Sequence, residues 1–198
     1  PLRLWPNNFG NEYMGLVNLR TALKLSLNVS AVKLISELGV NETIKTVEAM
    51  GITTMQPADR HADHLSLALG GLNKGVTPME MASAYGIFAN QGILVEPFAI
   101  SRVLDKHDRV LYEAHPEKKV VLSEDTAYIM TSMLQSVTSD AGGTGWRARL
   151  GNQPVAGKTG TTNSYTDAWL VGYTPELVTS LWIGEDNLAP LAICSTQA

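Results

Sequence analysis

Apolar positions recur at three- and four-residue steps from Gly15 onward, where Leu16, Leu19 and Leu23 mark a first helical run. The run breaks at Ser26-Leu27-Asn28. A second helix is expected from Ser30, read as its N-cap, to Gly39. A third runs from Asn41 to Gly51, with Ile44 and Val47 on its apolar side. Thr77-Pro78 pairs a hydroxyl cap with proline at the first helical position. The helix it starts passes through Met81, Ala84, Tyr85 and Phe88 to a stop at Asn90-Gln91-Gly92. Its positions are nearly all apolar, which predicts burial. Ser123 caps a fifth helix ending near Ser136. Residues 1–13, rich in Pro, Asn and aromatics, read as an extended surface segment. Residues 52–64 and the Gly-rich 139–145 read as loops.

The period changes toward the C-terminus. Residues 98–104 and 109–113 predict a hairpin around Asp105-Lys106-His107-Asp108. The stretch Val155–Thr162 and the runs Asp167–Tyr173 and Leu177–Gly184 predict three antiparallel strands, the last two joined at Thr174-Pro175-Glu176. Helices come first and strands last, so the fold class is α+β.

Composition narrows the function classes. The chain has 198 residues, 44% of them hydrophobic and 17% charged, which suffices for a core. A net charge of −4 without a basic run argues against a nucleic-acid partner. No apolar run is long enough to span a bilayer. The single cysteine, Cys194, excludes an internal disulfide. The chain starts at Pro1 and stops after Ala189–Ala198 with no closing element, so a piece of a longer protein is expected.

The chemistry concentrates at Gly157-Lys158-Thr159-Gly160-Thr161-Thr162. A lysine between two glycines, followed by hydroxyls, suits an anionic group lying along a strand. A phosphate-binding loop would need glycine where Asn152 stands, and a helix rather than a strand afterwards. Ser26-x-Asn28 reads on its own as turn or cap. Ser30-Ala31-Val32-Lys33 is the only Ser-x-x-Lys spacing, which on a helix sets an amine one turn from a hydroxyl. Ser30 is better explained as a cap. His61, Asp63 and His64, with Asp59 nearby, could form a metal cluster, but a solvated loop accounts for them. Gly142-Gly143-Thr144-Gly145 could cradle an anion, with a flexible loop as the default. Trp169 and Trp182 read as packing.

Taken together, Ser26-Leu27-Asn28 and Lys158-Thr159-Gly160 resemble the second and third motifs of the transpeptidase domain of penicillin-binding proteins, most closely the bifunctional class A enzymes. The flanks are similar too: Leu19–Leu23, Leu67–Gly70, Val76–Ala82, Ala156–Asn163 and Asp167–Pro175. The resemblance covers nearly the whole chain up to Asn187. It implies a serine D,D-peptidase/β-lactamase-like α+β fold, incomplete at both ends. Residues 1–198 would form one partial domain: a helical part over about 14–137, a hairpin insertion over about 98–113 and C-terminal strands over about 154–184.

The resemblance also implies roles. Ser26 would relay a proton, Asn28 would bind the donor's amide, and Lys158 would polarise the hydroxyl network and favour a carboxylate. Thr159 and Thr161, with Gly160 between them, would bind that carboxylate, and the Thr161 N–H would supply half of an oxyanion hole. The reaction would be acyl transfer from D-Ala-D-Ala stem peptides, inhibited by β-lactams. No metal or cofactor is implied. In the family the nucleophilic Ser-x-x-Lys lies upstream of Ser-x-Asn; nothing upstream of Ser26 supplies it, and Ser30-x-x-Lys33 lies downstream. The expectation is therefore a C-terminal half without its nucleophile, inactive alone. It would be completed by a missing N-terminal half or another chain. The full protein would carry a glycosyltransferase domain and a membrane anchor on the extracytoplasmic face. A non-catalytic cell-wall- or partner-binding relative and a D,D-carboxypeptidase or β-lactamase-type hydrolase are the other classes to be separated.

Overall fold

A computed structural model of the chain describes residues 5–61, 63–162, 164–187 and 189–191. The expectations placed on Pro1, Asn163, Cys194 and the last seven residues lie outside them. Five α-helices and seven short strands follow in order: α1 Leu19–Lys24, α2 Asn28–Leu38, α3 Val40–Ala49, α4 Pro78–Ala89, β1 Ile93–Val95, β2 Arg102–Leu104, β3 Val110–Glu113, β4 Lys118–Val120, α5 Glu124–Ser139, β5 Ala156–Thr161, β6 Asp167–Tyr173 and β7 Val178–Gly184.

Local chemistry explains most boundaries. Asn18 caps α1, its side chain accepting from the Thr21 N–H at 2.8 Å. The first helix thus starts at Leu19, not Gly15, and Leu16 is fully exposed. Thr77 and Glu80 form a reciprocal capping box on α4 with Pro78 at its start. Ser123 caps α5 through the Thr126 N–H, and the helix continues one turn past Ser136 to Ser139. Ser30 is not a cap. Helix α2 begins at Asn28, and its first-turn Val29 N–H is taken by the Asn8 side chain at 3.0 Å. Asn8, buried, also donates to the Glu12 carbonyl at 2.8 Å. The N-terminal segment lies at the surface as expected, but Asn8 anchors it beneath α2, and it holds a 3-10 turn at Phe9–Asn11.

Two clusters form the core. Ile35, Val40 and Ile44 join α2 to α3, with Met55, Leu65 and Leu67 packed against them. Leu134, Ala156 and Tyr173 join α5 to the sheet, with Leu23, Tyr85, Phe88 and Met130 around them. Helix α4 is only partly enclosed: Ala84 and Ile87 are buried, whereas Met79 is exposed. The loop after α3 is organised as well. Asp59 is 1% exposed and accepts from the Gln56 N–H, the Asn73 N–H and the Asn73 amide at 2.7–3.0 Å. Desolvation works to raise the pKa of Asp59, but those hydrogen bonds and the His64 charge outweigh it and hold the carboxyl low. Both His64 ring nitrogens face carbonyl oxygens, of Ala58 and Gly71. Asp59 is thus a buried anchor of the loop, while His61 and Asp63 are exposed as a solvated loop requires, and the described residues contain no metal-binding cluster.

The strands fall into three antiparallel sets: β1 with β4, β2 with β3, and β5-β6-β7 in sequence order. The β1–β4 pair, Ile93↔Val120 to Val95↔Lys118, was not anticipated. The β2–β3 hairpin turns at Asp105–Asp108 as expected but starts later, at Arg102. In the three-stranded sheet Ala156 faces Tyr173, which faces Val178; Lys158, Val171 and Ser180 form the next row. Cross-strand partners share a face, so Lys158 projects from the side that packs on α4 and α5. Trp169 and Trp182 meet at the end of that face with centroids 6.4 Å apart and rings tilted by 44°, and the Trp182 N–H donates to Asp167.

Candidate active site

The site is built where the α1–α2 turn meets the open edge of β5. The turn comes first. The Ser26 N–H donates to Leu23 O at 3.1 Å and the Leu27 N–H to Ala22 O at 2.9 Å. This pair of bonds is a Schellman closure of α1, and it puts Ser26 in the left-handed position that glycine normally fills. Ser26 has φ +55°. A non-glycine residue held there is strained by on the order of 1 kcal/mol or more. The strain has a visible result: the exposed Ser26 hydroxyl stands at the apex of the turn and accepts from Lys158 Nζ at 2.8 Å.

Lys158 comes from β5, 132 residues away. Its ammonium also donates to the Thr159 carbonyl at 2.9 Å. Burial pushes its pKa down from 10.5 to about 8. At neutral pH it is still mostly charged, so the site offers a partly desolvated cation beside a hydroxyl.

The backbone of β5 supplies the rest. Among the described residues strand β5 is an edge strand, paired only with β6. The Thr162 N–H donates to Asp167 O, so 162↔167 is a hydrogen-bonded pair. The bonding alternates along an antiparallel ladder. Lys158↔Val171 and Gly160↔Trp169 are therefore bonded pairs, and Thr159↔Leu170 and Thr161↔Ala168 are not. The N–H groups of Thr159 and Thr161 consequently point off the open edge, free to donate to something lying along it. Thr161 itself is exposed. The Thr159 hydroxyl donates to Thr144 Oγ1 at 3.2 Å.

Of the two glycines, Gly157 has a packing reason of its own. A Cβ on Gly157 would lie 2.9 Å from the Val171 carbonyl, and one on Gly160 would lie 3.4 Å from Trp169 Cβ. Gly157 therefore lets β5 approach β6, whereas a side chain at Gly160 would make only an ordinary contact with Trp169.

The structure brings Ser26, Lys158 and Thr159 together. It places Gly160 and Thr161 next along the same strand. Asn28 is different: its side-chain amide donates to Asn7 O at 2.8 Å, against the N-terminal segment. Ser30 and Lys33 sit on α2 and make no hydrogen bond to Ser26, Lys158 or Thr159 among the described residues. Three contributors were missed in the sequence. Asn7 and Asn8 hold the Ser26–Asn28 turn, and Thr144 touches Thr159. The former lie in a segment without any period, and the latter in a glycine run that reads as slack.

The sequence profile described as the penicillin binding protein transpeptidase domain matches residues 2–183. The chain belongs to that family. It is 42% identical over 184 residues to penicillin-binding protein 1A of Clostridium botulinum, covering 92% of this chain and 22% of that protein. To penicillin-binding protein 1A of Aquifex aeolicus it is 37% identical over 181 residues, covering 91% and 24%. The chain thus spans about a quarter of the length of these relatives. Among solved structures it resembles penicillin-binding protein 1A from Haemophilus influenzae, with a TM-score of 0.80 and 28% identity over 94% of this chain and 33% of that one. It also resembles the PonA1 protein of Mycobacterium tuberculosis in complex with penicillin V, with a TM-score of 0.78 and 28% identity over 93% and 52%. The α+β fold of the penicillin-binding transpeptidases is therefore the fold of this chain.

Proposed function

We propose that this chain forms one wall of the acyl-transfer cleft of a serine-type peptidoglycan D,D-transpeptidase. The observation that carries the reading is the Lys158–Ser26 hydrogen bond, set beside an edge strand whose Thr161 N–H points outward. A cation, a relay hydroxyl and free backbone donors on one edge suit a peptide that ends in a carboxylate.

In this reading the donor stem peptide lies antiparallel along β5. Its terminal carboxylate meets the Thr159 and Thr161 hydroxyls, in the field of Lys158. Its penultimate D-Ala carbonyl lies near the Thr161 N–H, which stabilises the oxyanion as it forms. The attacking serine and its lysine come from a Ser-x-x-Lys segment outside these 198 residues. The serine oxygen bonds to the carbonyl carbon, the D-Ala–D-Ala bond breaks, and the serine proton reaches the leaving amine through Ser26. A second stem's amine then attacks the ester and restores the serine. Asn28 binds the donor's side-chain amide once substrate displaces its bond to Asn7. A β-lactam carries the same carboxylate-and-carbonyl pair and stops at the acyl-enzyme.

The relatives' names support a setting in cell-wall synthesis. We place the full protein on the extracytoplasmic face of the membrane, held by an anchor outside this chain. Among the described residues no helix is long and apolar enough to cross a membrane. The test is product analysis with the full-length protein and a stem pentapeptide plus an acceptor amine. Cross-linked peptide with release of D-Ala is expected, and Lys158→Ala abolishes it. Free tetrapeptide alone would mean a hydrolase. Binding without turnover would mean a non-catalytic relative.

A further inference from the structure

One residue outside the two motifs touches Thr159 and the end of α1 beside the Ser26 turn. Thr144 lies in the loop between α5 and β5. Its hydroxyl accepts from the Thr159 hydroxyl at 3.2 Å, and its backbone N–H leans on the Lys24 carbonyl at 3.4 Å. Lys24 closes α1 two residues before Ser26 and donates from its own ammonium to Ala141 O at 3.3 Å. The loop therefore joins the Ser26 turn to the Lys158–Thr161 strand.

The glycines around Thr144 show that the loop is built rather than slack. A Cβ on Gly143 would sit 2.2 Å from the Val137 carbonyl, a distance no side chain tolerates. One on Gly145 would meet Thr138 Cγ2 and Val137 Cγ1 at 3.3 Å. The Gly145 N–H donates to Val137 O at 2.9 Å and the Gly143 N–H to Asp140 O at 3.1 Å. Both glycines are buried. The loop lies flat on the last turn of α5, and Thr144 is the side chain this packing holds against β5. Beside it, the Thr138 hydroxyl donates to the Val155 carbonyl and ties the same helix end to the approach to β5.

We propose that Thr144 is a positioning residue for carboxylate recognition: it holds the rotamer of the Thr159 hydroxyl before substrate arrives. The inference rests on the transpeptidase reading above. A threonine hydroxyl left to itself turns among rotamers and points its proton at any acceptor. Bound to Thr144, the Thr159 oxygen stays on the rim of the edge strand. When a carboxylate arrives, the Thr159 proton turns to it, and Thr144 donates its own proton to the Thr159 oxygen. Two hydroxyls in series give a stronger donor than one alone. Thr144 itself does not touch the substrate.

The test is the acylation kinetics of the full-length protein with a fluorescent penicillin, resolved into the non-covalent constant K and the acylation rate k2. For Thr144→Val, which keeps the β-branched shape and removes the hydroxyl, K rises about tenfold, the effect of losing one hydrogen bond. The rate k2 and the melting temperature stay unchanged. Thr144→Ser keeps K within about threefold of the original. In a Thr159→Val background, Thr144→Val adds no further loss, because the hydroxyl it serves is gone. Unchanged K in Thr144→Val, equal losses in the Val and Ser variants, or additive losses in the double variant would each overturn the proposal. Should Thr144→Val unfold, the Ser variant and its own cycle with Thr159→Val decide on the same criteria. If the unaltered protein is not acylated at all, the transpeptidase reading fails and the inference falls with it. If it is acylated normally and Thr144→Val matches it, only the inference fails.

Discussion

At the scale of single residues, Ser26 shows how function and stability pull apart. Its φ of +55° closes α1 in a position where glycine is favoured, and the hydroxyl gained there reaches Lys158. Ser26→Ala and Ser26→Gly both remove the hydroxyl and both abolish acyl transfer. They differ only in backbone cost. Ser26→Gly is expected to be more stable than Ser26→Ala by about 1 kcal/mol in urea unfolding. Equal stabilities would mean that the turn is not strained. Lys158 gives a second prediction, through pH. Its folded pKa, about 8, lies below the unfolded 10.5. Between those values the unfolded chain binds the extra proton, so stability rises as pH increases from about 8 to about 10.5. That rise is expected to vanish in Lys158→Met. The same titration removes the cation, so carboxylate ligands bind less tightly above about pH 8.

At the scale of elements, the capping box of α4 ties two segments together. The Glu80 carboxylate accepts from the Thr77 N–H and hydroxyl, and also from the N–H and hydroxyl of Thr53, at 2.7–3.0 Å. Desolvation works to raise the Glu80 pKa, but these bonds overcome it and bring the value to about 2. Its stabilisation is therefore present above pH 4.5 and lost as pH falls toward about 2. Glu80→Gln is expected to cost about 1–2 kcal/mol at pH 7 and to flatten that acid limb in a pH series of unfolding midpoints.

Elements like α4 were legible in the sequence because their signals are local: Thr77, Pro78 and Glu80 lie within one turn. The start of α2 was not, because Asn8 caps it from 21 residues upstream. Strands β1 and β4 escaped for the same reason; each has three residues and is defined only by its distant partner. The site divides similarly. Lys158 through Thr161 could be read because one strand carries them. The contact to Ser26 needed the family's motif order, and Thr144 could not be read at all. Its meaning depends on what Gly143 and Gly145 pack against, and a sequence does not show that.

At the scale of the whole molecule, surface area is the governing quantity. The chain exposes 13394 Å², whereas a compact monomer of 21.4 kDa exposes about 9,100 Å². Large apolar side chains are among the exposed residues. On β7 Leu181 is 49% and Ile183 47% exposed, and the β2–β3 hairpin shows Val110, Leu111 and Tyr112 to solvent. Faces of this kind are covered in a working protein. Among the described residues the three-stranded sheet has two open edges, β5 with the candidate site and β7 with these apolar residues, so a segment that pairs with β7 would lie at the edge opposite Lys158.

The central claim is that these residues receive the substrate while a serine outside the chain attacks it. Mass spectrometry of the penicilloyl adduct, after proteolysis of the full-length protein treated with benzylpenicillin, tests it most directly. The account predicts one adduct, on a Ser-x-x-Lys serine outside these 198 residues, lost in Lys158→Ala, and no adduct on the isolated chain. An adduct on Ser30, or on any serine of the isolated chain, would contradict it.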